Sequence, residues 1–570
     1  MKLIWQKKEA DVSKVETLKE QLNLSVLSAT LMVNRGIDNE EKAKDFFNSN
    51  WEKKHHPFLM ADLEKAAERI VRAIEEKEKI LVYGDYDVDG TTSVALVYSF
   101  LKNELKHEFL DFYVPDRFSE GYGISTQSIE WASKNGIKLM IALDCGVKAH
   151  HPIQLANDLN IEVIVCDHHL PGEQLPDAYA VLDPKRTDCH YPFKELSGCG
   201  VGFKLLHGVC IKKGLSEDIL KDYLDLVCIS TCADIVPIIG ENRIFVTEGL
   251  PKIQQSKRTG IQALLKTAGL HNKDLDVTKV VFGIAPRINA AGRIFHASKS
   301  VELLIEEDPQ KAEELSKAVN ELNTDRKTFD ESITEEALTL IKENPNWEKT
   351  FSTVLFKPDW NKGVIGIVAS RCIEQHYRPT IILTESNGIA TGSARSVEGF
   401  DLYQAIESCH EHLIQFGGHF HAAGLTMHLD KINDFRESFE QFSKKFWNGK
   451  HPIPTLKYDA EVELNQLSQN FFKLLKRFAP FGPANEEPLL VTHHLELVGE
   501  VSILKEKHLK FKIKEQQSDL VLNAIAFGLV DKIETVKKGN FSLCYHLQEN
   551  NFNNQTSIQL MVKDIENGIE

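Results

Sequence analysis

At 570 residues, with 42% hydrophobic and 26% charged residues, the chain is too long for one core and has the make-up of an ordinary soluble protein of about three or four domains. No apolar run approaches the ~18 residues of a membrane span, and the start, MKLIWQKKEADV, lacks a secretory apolar core, so the cytosol and no membrane partner are expected. The net charge of −16 argues against a surface coated for nucleic acid, yet residues 301–345 alone carry 13 Asp/Glu against 5 Lys/Arg, which leaves room for a local basic groove.

Residues 1–60 read as a partly helical lead-in. From 61 to about 300 the pattern alternates. Strands ILVYGDYD, FLDFYVPD, KLMIALDCG and IEVIVCDHH are separated by helices such as TTSVALVYSFLKNEL and HPIQLANDLN. Near-continuously apolar strands spaced by helices predict a parallel sheet covered on both faces. Residues 301–345, chiefly PQKAEELSKAVNELNTDRKTFDESITEEALTLIKEN, predict one long acidic helix or two, with solvated charges, acting as a connector. A smaller α/β region follows over 346–450, with strands STVLFKP and PTIILTE around helix VIGIVASRCIEQ. From 455 to 570 short alternating strands such as LKFKIK and SIQLMVKDI predict an all-β barrel or sandwich. The ten cysteines contain no CxxC pair and read as small buried thiols.

Polar residues recur where the apolar strands stop. ILVYG runs into Asp85, Asp87 and Asp89, LMIAL into Asp144, VIVC into Asp167, His168 and His169, and DLVCISTCA into Asp234. In an open parallel sheet, ligands bind outside the carboxyl ends of the strands, so these groups can converge on one crevice. Acids packed that closely raise one another's pKa unless a cation lies among them. Carboxylates with imidazole, and no thiolate set, suit two hard divalent ions, Mn²⁺ or Mg²⁺. Taken singly, DxDxDG also reads as a calcium-binding turn, and Asp167 as a turn cap.

In this order, GDYDVDGTT, ALDCG, CDHH and ADIVP resemble the DHH phosphoesterase family; APRINAAGRI, TGSARSVEGFDL and the DHHA1 signature GGHFHAAG extend the likeness. VPDRFSEGYG, LSGCGVGFKLL and RFAPFGPANEEP are similar to one branch, the RecJ single-strand-specific DNA exonucleases. The resemblance implies a parallel-sheet DHH domain (61–300), a connecting helix (301–345), a DHHA1 substrate-binding domain (346–450) and a C-terminal all-β OB-like nucleic-acid-binding domain (455–570). It implies hydrolysis of single-stranded DNA from the 5′ end to 5′-mononucleotides, in DNA repair and recombination. Asp87, with Asp85 nearby, would hold one ion; Asp89, His168 and Asp234 the other; Asp144 would bridge. Asp167 and His169 would orient ligands or meet the leaving group.

A dianionic 5′ phosphate suits arginine forks. Arg117, Arg293, Ser393 with Arg395, His419 and Arg287 are the candidates. The family's Gly-Ser-Gly-Arg-Ser is here Gly392-Ser393-Ala394-Arg395-Ser396, so a methyl is added where backbone can approach phosphate. In LKEKHLKFKIK, Lys510, Lys512 and Lys514 alternate with Phe511 and Ile513, which puts lysines on one face of a strand. The same family offers a short-oligonucleotide or cyclic-dinucleotide phosphodiesterase, or a pyrophosphatase, as the rival reading; a non-catalytic single-strand-binding scaffold is another. Expected partners are single-stranded DNA, a single-strand-binding protein and a helicase, for a monomeric enzyme.

Overall fold

The computed structural model describes residues 3–516, 518–552 and 555–568. The chain forms two compact units, one from 55–234 and 249–454, the other from 3–54, 235–248 and 455–570.

The first unit holds two sheets. Strands β1 (Ile80–Gly84), β2 (Leu110–Tyr113), β3 (Leu139–Leu143), β4 (Glu162–Cys166) and β5 (Ala180–Leu182) are all parallel, in the order β2-β1-β3-β4-β5. Every residue of β1 and β3 is buried, as expected of strands covered on both faces. The strand order reverses between β1 and β3, so a crevice opens at their carboxyl ends. Helices α1 (Val88–Asn103), α2 (Gly198–Lys213) and α3 (Leu224–Ala233) pack on one another and are buried almost all round, as core helices.

A continuous helical run follows: a short turn Val277–Lys279, a π-helix Val280–Ile284, and α4 (Ala285–Ile294). The acidic segment is one helix, α5 (Pro309–Glu343), capped by Asp308 with Pro309 in its first turn and ending just before Pro345. One of its acids is not solvated: Asp330 is fully buried, 2.7 Å from Arg371 and 3.5 Å from Arg326. The second sheet has the order β9-β10-β8-β7-β6, where β6 is Thr353–Phe356, β7 Thr380–Ser386, β8 Ile389–Arg395, β9 Gln415–Gly418 and β10 Ala422–Met427. Only β6 and β7 pair in parallel, and α6 (Ile365–Gln375) covers the sheet.

The second unit is a six-stranded barrel, β11 (Ala460–Glu461), β12 (Leu490–Leu504), β13 (His508–Glu515), β14 (Leu522–Ala526), β15 (Phe541–Phe552) and β16 (Gln555–Asn567), ordered β11-β12-β13-β14-β16-β15 and closed by β12 pairing with β15. It is not purely β: an amphipathic helix, Gln469–Phe478, packs its Phe471, Phe472, Leu475 and Phe478 into the barrel core. The lead-in belongs to this unit rather than standing alone. Ile4–Lys7 pairs in parallel with Thr455–Tyr458, and buried Asp459 lies 3.3 Å from Lys8 and 3.4 Å from Arg35. Arg243, buried with no carboxylate paired to it among the described residues, donates instead to the carbonyls of Phe46, Arg477, Phe478, Ala479 and Pro480, stapling three distant stretches of chain.

Candidate active site

The DxDxDG stretch is not a calcium loop, because its three carboxylates stand on three different footings. Asp85 follows the last residue of β1, Asp87 caps α1 by accepting from Gly90 N at 3.1 Å, and Asp89 lies buried in the first turn of α1. Asp89 Oδ2 accepts from Gly198 N (2.6 Å), while Oδ1 accepts from Cys199 N (2.8 Å) and Ser230 Oγ (2.6 Å). The N-terminus of α2 and the body of α3 therefore grip this carboxylate. Asp144 follows β3 with a left-handed backbone, φ 60°, a conformation that clusters at functional sites. Gly198 is needed beside it, since a Cβ there would lie 2.6 Å from the Asp144 Cβ. Asp234 ends α3, and His168 follows β4.

These groups meet. His168 Nε2 lies 3.2 Å from Asp144 Oδ1, 3.6 Å from Asp234 Oδ2 and 3.8 Å from Asp89 Oδ2. Burial, then the charge of His169, pushes His168 down to about 3, so its imidazole is neutral at physiological pH. Burial and the neighbouring carboxylates hold Asp85, Asp144 and Asp234 well above the usual carboxylate range and lift Asp89 to about 6. Asp85 Oδ1, Asp144 Oδ1, Asp234 Oδ2 and His168 Nε2 are buried with no hydrogen-bond partner among the described residues. A neutral ring nitrogen facing three carboxylates, with Nε2 itself, Asp144 Oδ1 and Asp234 Oδ2 all unsatisfied, is a donor set short of a cation. The ligand atoms of Asp85, Asp87 and Asp144 fall within 4.8 Å of one another, as do those of Asp89, His168 and Asp234, and those of Asp144, His168 and His169. The residues present therefore fit a pair of divalent ions.

Asp167 is engaged instead by neighbouring backbone and by the His169 ring. Its Oδ1 accepts from His168 N, His169 N and the His169 ring, and its Oδ2 from Val147 N. Burial would raise Asp167, but these bonds and the charge of His169 hold it near 2. His169 in turn is lowered by burial and raised more strongly by Asp167, ending above its ordinary value. The Tyr122 hydroxyl reaches Asp144 O (3.0 Å) and His169 Nδ1 (3.2 Å).

Tyr86, between Asp85 and Asp87, faces a second feature: a cavity of about 480 Å³ lined by Arg117, Arg293, Lys362 and Arg395 together with Ser393. No carboxylate among the described residues lines it. The Arg117 guanidinium stacks 4.0 Å over the Tyr86 ring, and Arg293 Nη1 donates to Gly363 O at 3.1 Å. Burial and then the cations Arg117, Arg395 and Arg326 push Arg293 down to about 9, opposed only in part by Asp87. Gly366 makes room for the cluster, since a Cβ would come within 2.8 Å of Arg395 Nη2 and Ser393 Oγ. Ala394 is fully buried in the opposite face of β8, within the apolar core. Because side chains alternate along a strand, its methyl points away from Ser393 and Arg395, and the departure from the family's glycine leaves the cavity untouched.

Of the remaining candidates, His419 follows the β9 edge, and its ring is lowered by burial, His421, Arg395 and His169. Arg287 is not in the cavity: it is spent on Asn320 (3.0 Å) and the Gly283 carbonyl, which ties the π-helix to α5. Lys510 and Lys512 are exposed and Lys514 half-buried on β13, alternating with buried Phe511 and Ile513; Lys514 lies 3.7 Å from Glu496. Sequence reasoning missed Lys362, Tyr122, Ser230 and Asp183. The last carried a legible signal, an acid ending the apolar strand AVL, and is fully buried with Oδ2 unpaired and its carboxyl raised by burial to about 7.

Family models agree with this geometry. The DHH family N-terminal domain matches residues 79–231, the DHHA1 domain 349–445 and the RecJ OB domain 458–564. The chain is 37% identical to the single-stranded-DNA-specific exonuclease RecJ of Bacillus subtilis (strain 168), over 99% of this chain and 71% of that one. It is 34% identical to the corresponding Haemophilus influenzae protein, over 90% and 92% of the two chains. The crystal structure of RecJ from Thermus thermophilus in complex with Mn²⁺ superposes with a TM-score of 0.85 at 26% identity, covering 100% of this chain and 80% of that one. With its metal-fitting crevice, its basic cavity and its closed barrel, the chain belongs to the RecJ family of single-stranded-DNA-specific exonucleases.

Proposed function

We propose that this protein is a metal-dependent exonuclease that removes 5′-mononucleotides from the 5′ end of single-stranded DNA, in DNA repair and recombination. One observation carries the reading. Three consecutive residues, Asp85, Tyr86 and Asp87, join an acid crevice fit for cations to an acid-free cavity fit for a terminal phosphate. A nucleotide whose 5′ phosphate sits among Arg117, Arg293, Ser393 and Arg395 presents its next phosphodiester to the crevice.

Asp85, Asp87 and Asp144 would hold one Mn²⁺ or Mg²⁺ and Asp89, His168 and Asp234 the second, with Asp144 between them. When bound, such a pair supplies an activated water and charge stabilisation for the attacking and leaving oxygens. The chain's own groups do the rest. The arginines fix the terminal phosphate and so align the scissile bond. Asp167 orients His169 and keeps it protonated at higher pH than a free imidazole. Its ring can then give a proton to the departing 3′ oxygen of the terminal nucleotide as the P–O3′ bond breaks. The strand left behind carries a fresh 5′ phosphate suited to the same cavity.

A monomer suffices, since every ligand comes from one chain. A helicase and a single-strand-binding protein are the partners the substrate calls for, in the cytoplasm; among the described residues no helix is long and apolar enough to cross a membrane. The test is Arg395→Ala on matched strands. Loss of kcat/KM of roughly 10–100-fold is expected on 5′-phosphorylated DNA, against less than about threefold on 5′-hydroxyl DNA. Equal losses on both would remove Arg395 from the phosphate site.

A further inference from the structure

The basic cavity is larger and more positive than one terminal phosphate requires. Its volume, about 480 Å³, is that of a site for a whole small molecule. A terminal phosphate carries about −2, whereas Arg117, Arg293, Arg395 and Lys362 all line the cavity. Helix α6 adds to them: Ile365 and Gly366 of its first turn line the same wall, and no side chain caps its N-terminus. The first backbone N–H groups of a helix have no partner within it, so this end is a further donor to anions. Arg117 Nε is likewise buried with no hydrogen-bond partner among the described residues.

Beyond the arginines the wall is a polar sheet face. Thr391, Ser393 and Arg395 share one side of β8, alternating with buried Ala390, Gly392 and Ala394. The register sets Gly424 beside Ser393 and Gly417 beside Gly424, and in the next row Thr426 beside Thr391 and Gln415 beside Thr426. At Gly417 and Gly424 an added Cβ would meet nothing nearer than 3.9 Å, so neither glycine serves close packing. They floor an open trough leading away from Ser393, edged by Thr391, Thr426 and Gln415. Arg395 folds back on Ser393, Nη1 to Oγ 3.0 Å. Its guanidinium therefore lies about 7 Å along β8 from Thr391, two residues of strand. Two phosphate groups in line cover that length. A base would find no ring to stack on at this end among the described residues, because Phe416, on the alternate side of β9, packs on the apolar core of the sheet.

We infer that this trough receives the β and γ phosphates of a 5′-triphosphate, so that triphosphorylated single strands are substrates of the same site. The inference rests on the exonuclease reading and extends it to a second class of 5′ end. The α phosphate takes the place of the terminal phosphate among Arg117, Arg293, Ser393 and Arg395. The β and γ phosphates use what that phosphate leaves free: Lys362, the α6 N-terminus and the threonine hydroxyls. Water adds to the phosphorus of the first internucleotide phosphodiester, and the bond from that phosphorus to the 3′ oxygen of the terminal nucleotide breaks. The oxygen takes up a proton and departs on a deoxynucleoside 5′-triphosphate, while the remaining strand keeps a 5′ monophosphate. A single cleavage thus turns such an end into the ordinary substrate.

The experiment uses the full chain with Mn²⁺ and one single-stranded DNA sequence bearing a 5′ hydroxyl, a monophosphate or a triphosphate. The wild type is expected to cleave the triphosphate strand with kcat/KM within about threefold of the monophosphate strand, and the first product should be a deoxynucleoside triphosphate. Thr426→Glu and Thr426→Gln match in size and differ in charge. On the triphosphate strand Thr426→Glu should fall about tenfold below Thr426→Gln; on the monophosphate strand the two should agree within about threefold. If the wild type degrades the monophosphate strand but handles the triphosphate strand no better than the hydroxyl strand, the trough is wrong and the exonuclease reading stands. Equal rates for the two variants on the triphosphate strand would also overturn the trough. A wild type that attacks none of the three 5′ ends would remove the exonuclease reading itself, and the trough with it.

Discussion

The acid crevice and the basic cavity share a three-residue boundary and have opposite physics. In the crevice, burial and mutual repulsion raise Asp85, Asp89, Asp144 and Asp234, and Asp85 Oδ1, Asp144 Oδ1, Asp234 Oδ2 and His168 Nε2 are left without hydrogen bonds among the described residues. In the cavity, burial and like charge lower Arg293, and Arg395 falls through burial alone. Each region is electrostatically incomplete, one short of cations and the other of an anion. A phosphodiester strand with two bound metal ions completes both at once. Sorting the charges this sharply costs the empty protein stability, and that cost is a signature of a binding site rather than of packing.

The largest effect tests the crevice. His168→Ala removes the one neutral ligand, so turnover should fall by at least about 10³-fold. Affinity for single-stranded DNA should stay within about threefold, because the phosphate contacts lie in the cavity. Comparable losses in both would mean that crevice and cavity are not separate. Gel-shift binding beside single-turnover kinetics makes the distinction.

A middle-sized effect comes from linkage. Asp89 titrates near 6 in the folded, metal-free chain, against about 3.9 when unfolded. A raised carboxylate binds protons in the folded state that the unfolded chain has released. Its contribution to stability is therefore greatest below the unfolded value and is lost as pH rises towards 6. Ions must displace that proton, so the Mn²⁺-induced rise in Tm should be several degrees larger at pH 7.5 than at pH 5.5. Calorimetry showing the same gain at both would contradict the assignment of Asp89 to an ion.

The smallest effect belongs to the barrel, whose lysines form a solvated strip rather than a cluster. Lys510→Ala and Lys512→Ala should each reduce the salt dependence of single-strand binding by ~0.7 in log–log slope, with little change in turnover. An unchanged slope would leave that strip as ordinary surface. Deleting only 456–570 is a poor probe of the barrel. It would strand Lys8, Arg35 and Arg243, which are bonded to Asp459 or to the carbonyls of 477–480.

Much of this was legible in the sequence, for identifiable reasons. Covered parallel strands are apolar throughout, so the acid ending each one stood out, and the topology of such sheets brings strand ends together. The alternation in LKFKIK told the faces of β13 apart. Other features depend on residues far apart in sequence. Nothing local marks Ser230 as the group that holds Asp89, 141 positions away. The lead-in's place with the barrel rests on Asp459, more than 400 residues from its partners. Arg287 looked like a phosphate ligand because its motif is basic and glycine-rich; only the π-helix carbonyl it reaches explains it. Ala394 looked like a defect until strand alternation put its methyl in the core.

The most direct test is a time course on long single strands labelled at either end, with Mn²⁺ or with EDTA. With Mn²⁺, the 5′ label should appear as mononucleotide at the earliest times while the 3′ label stays in a shortening ladder, and EDTA should stop both. Release of the 3′ label first, or digestion that persists in EDTA, would contradict the reading of the crevice as a two-ion site fed by a 5′ phosphate.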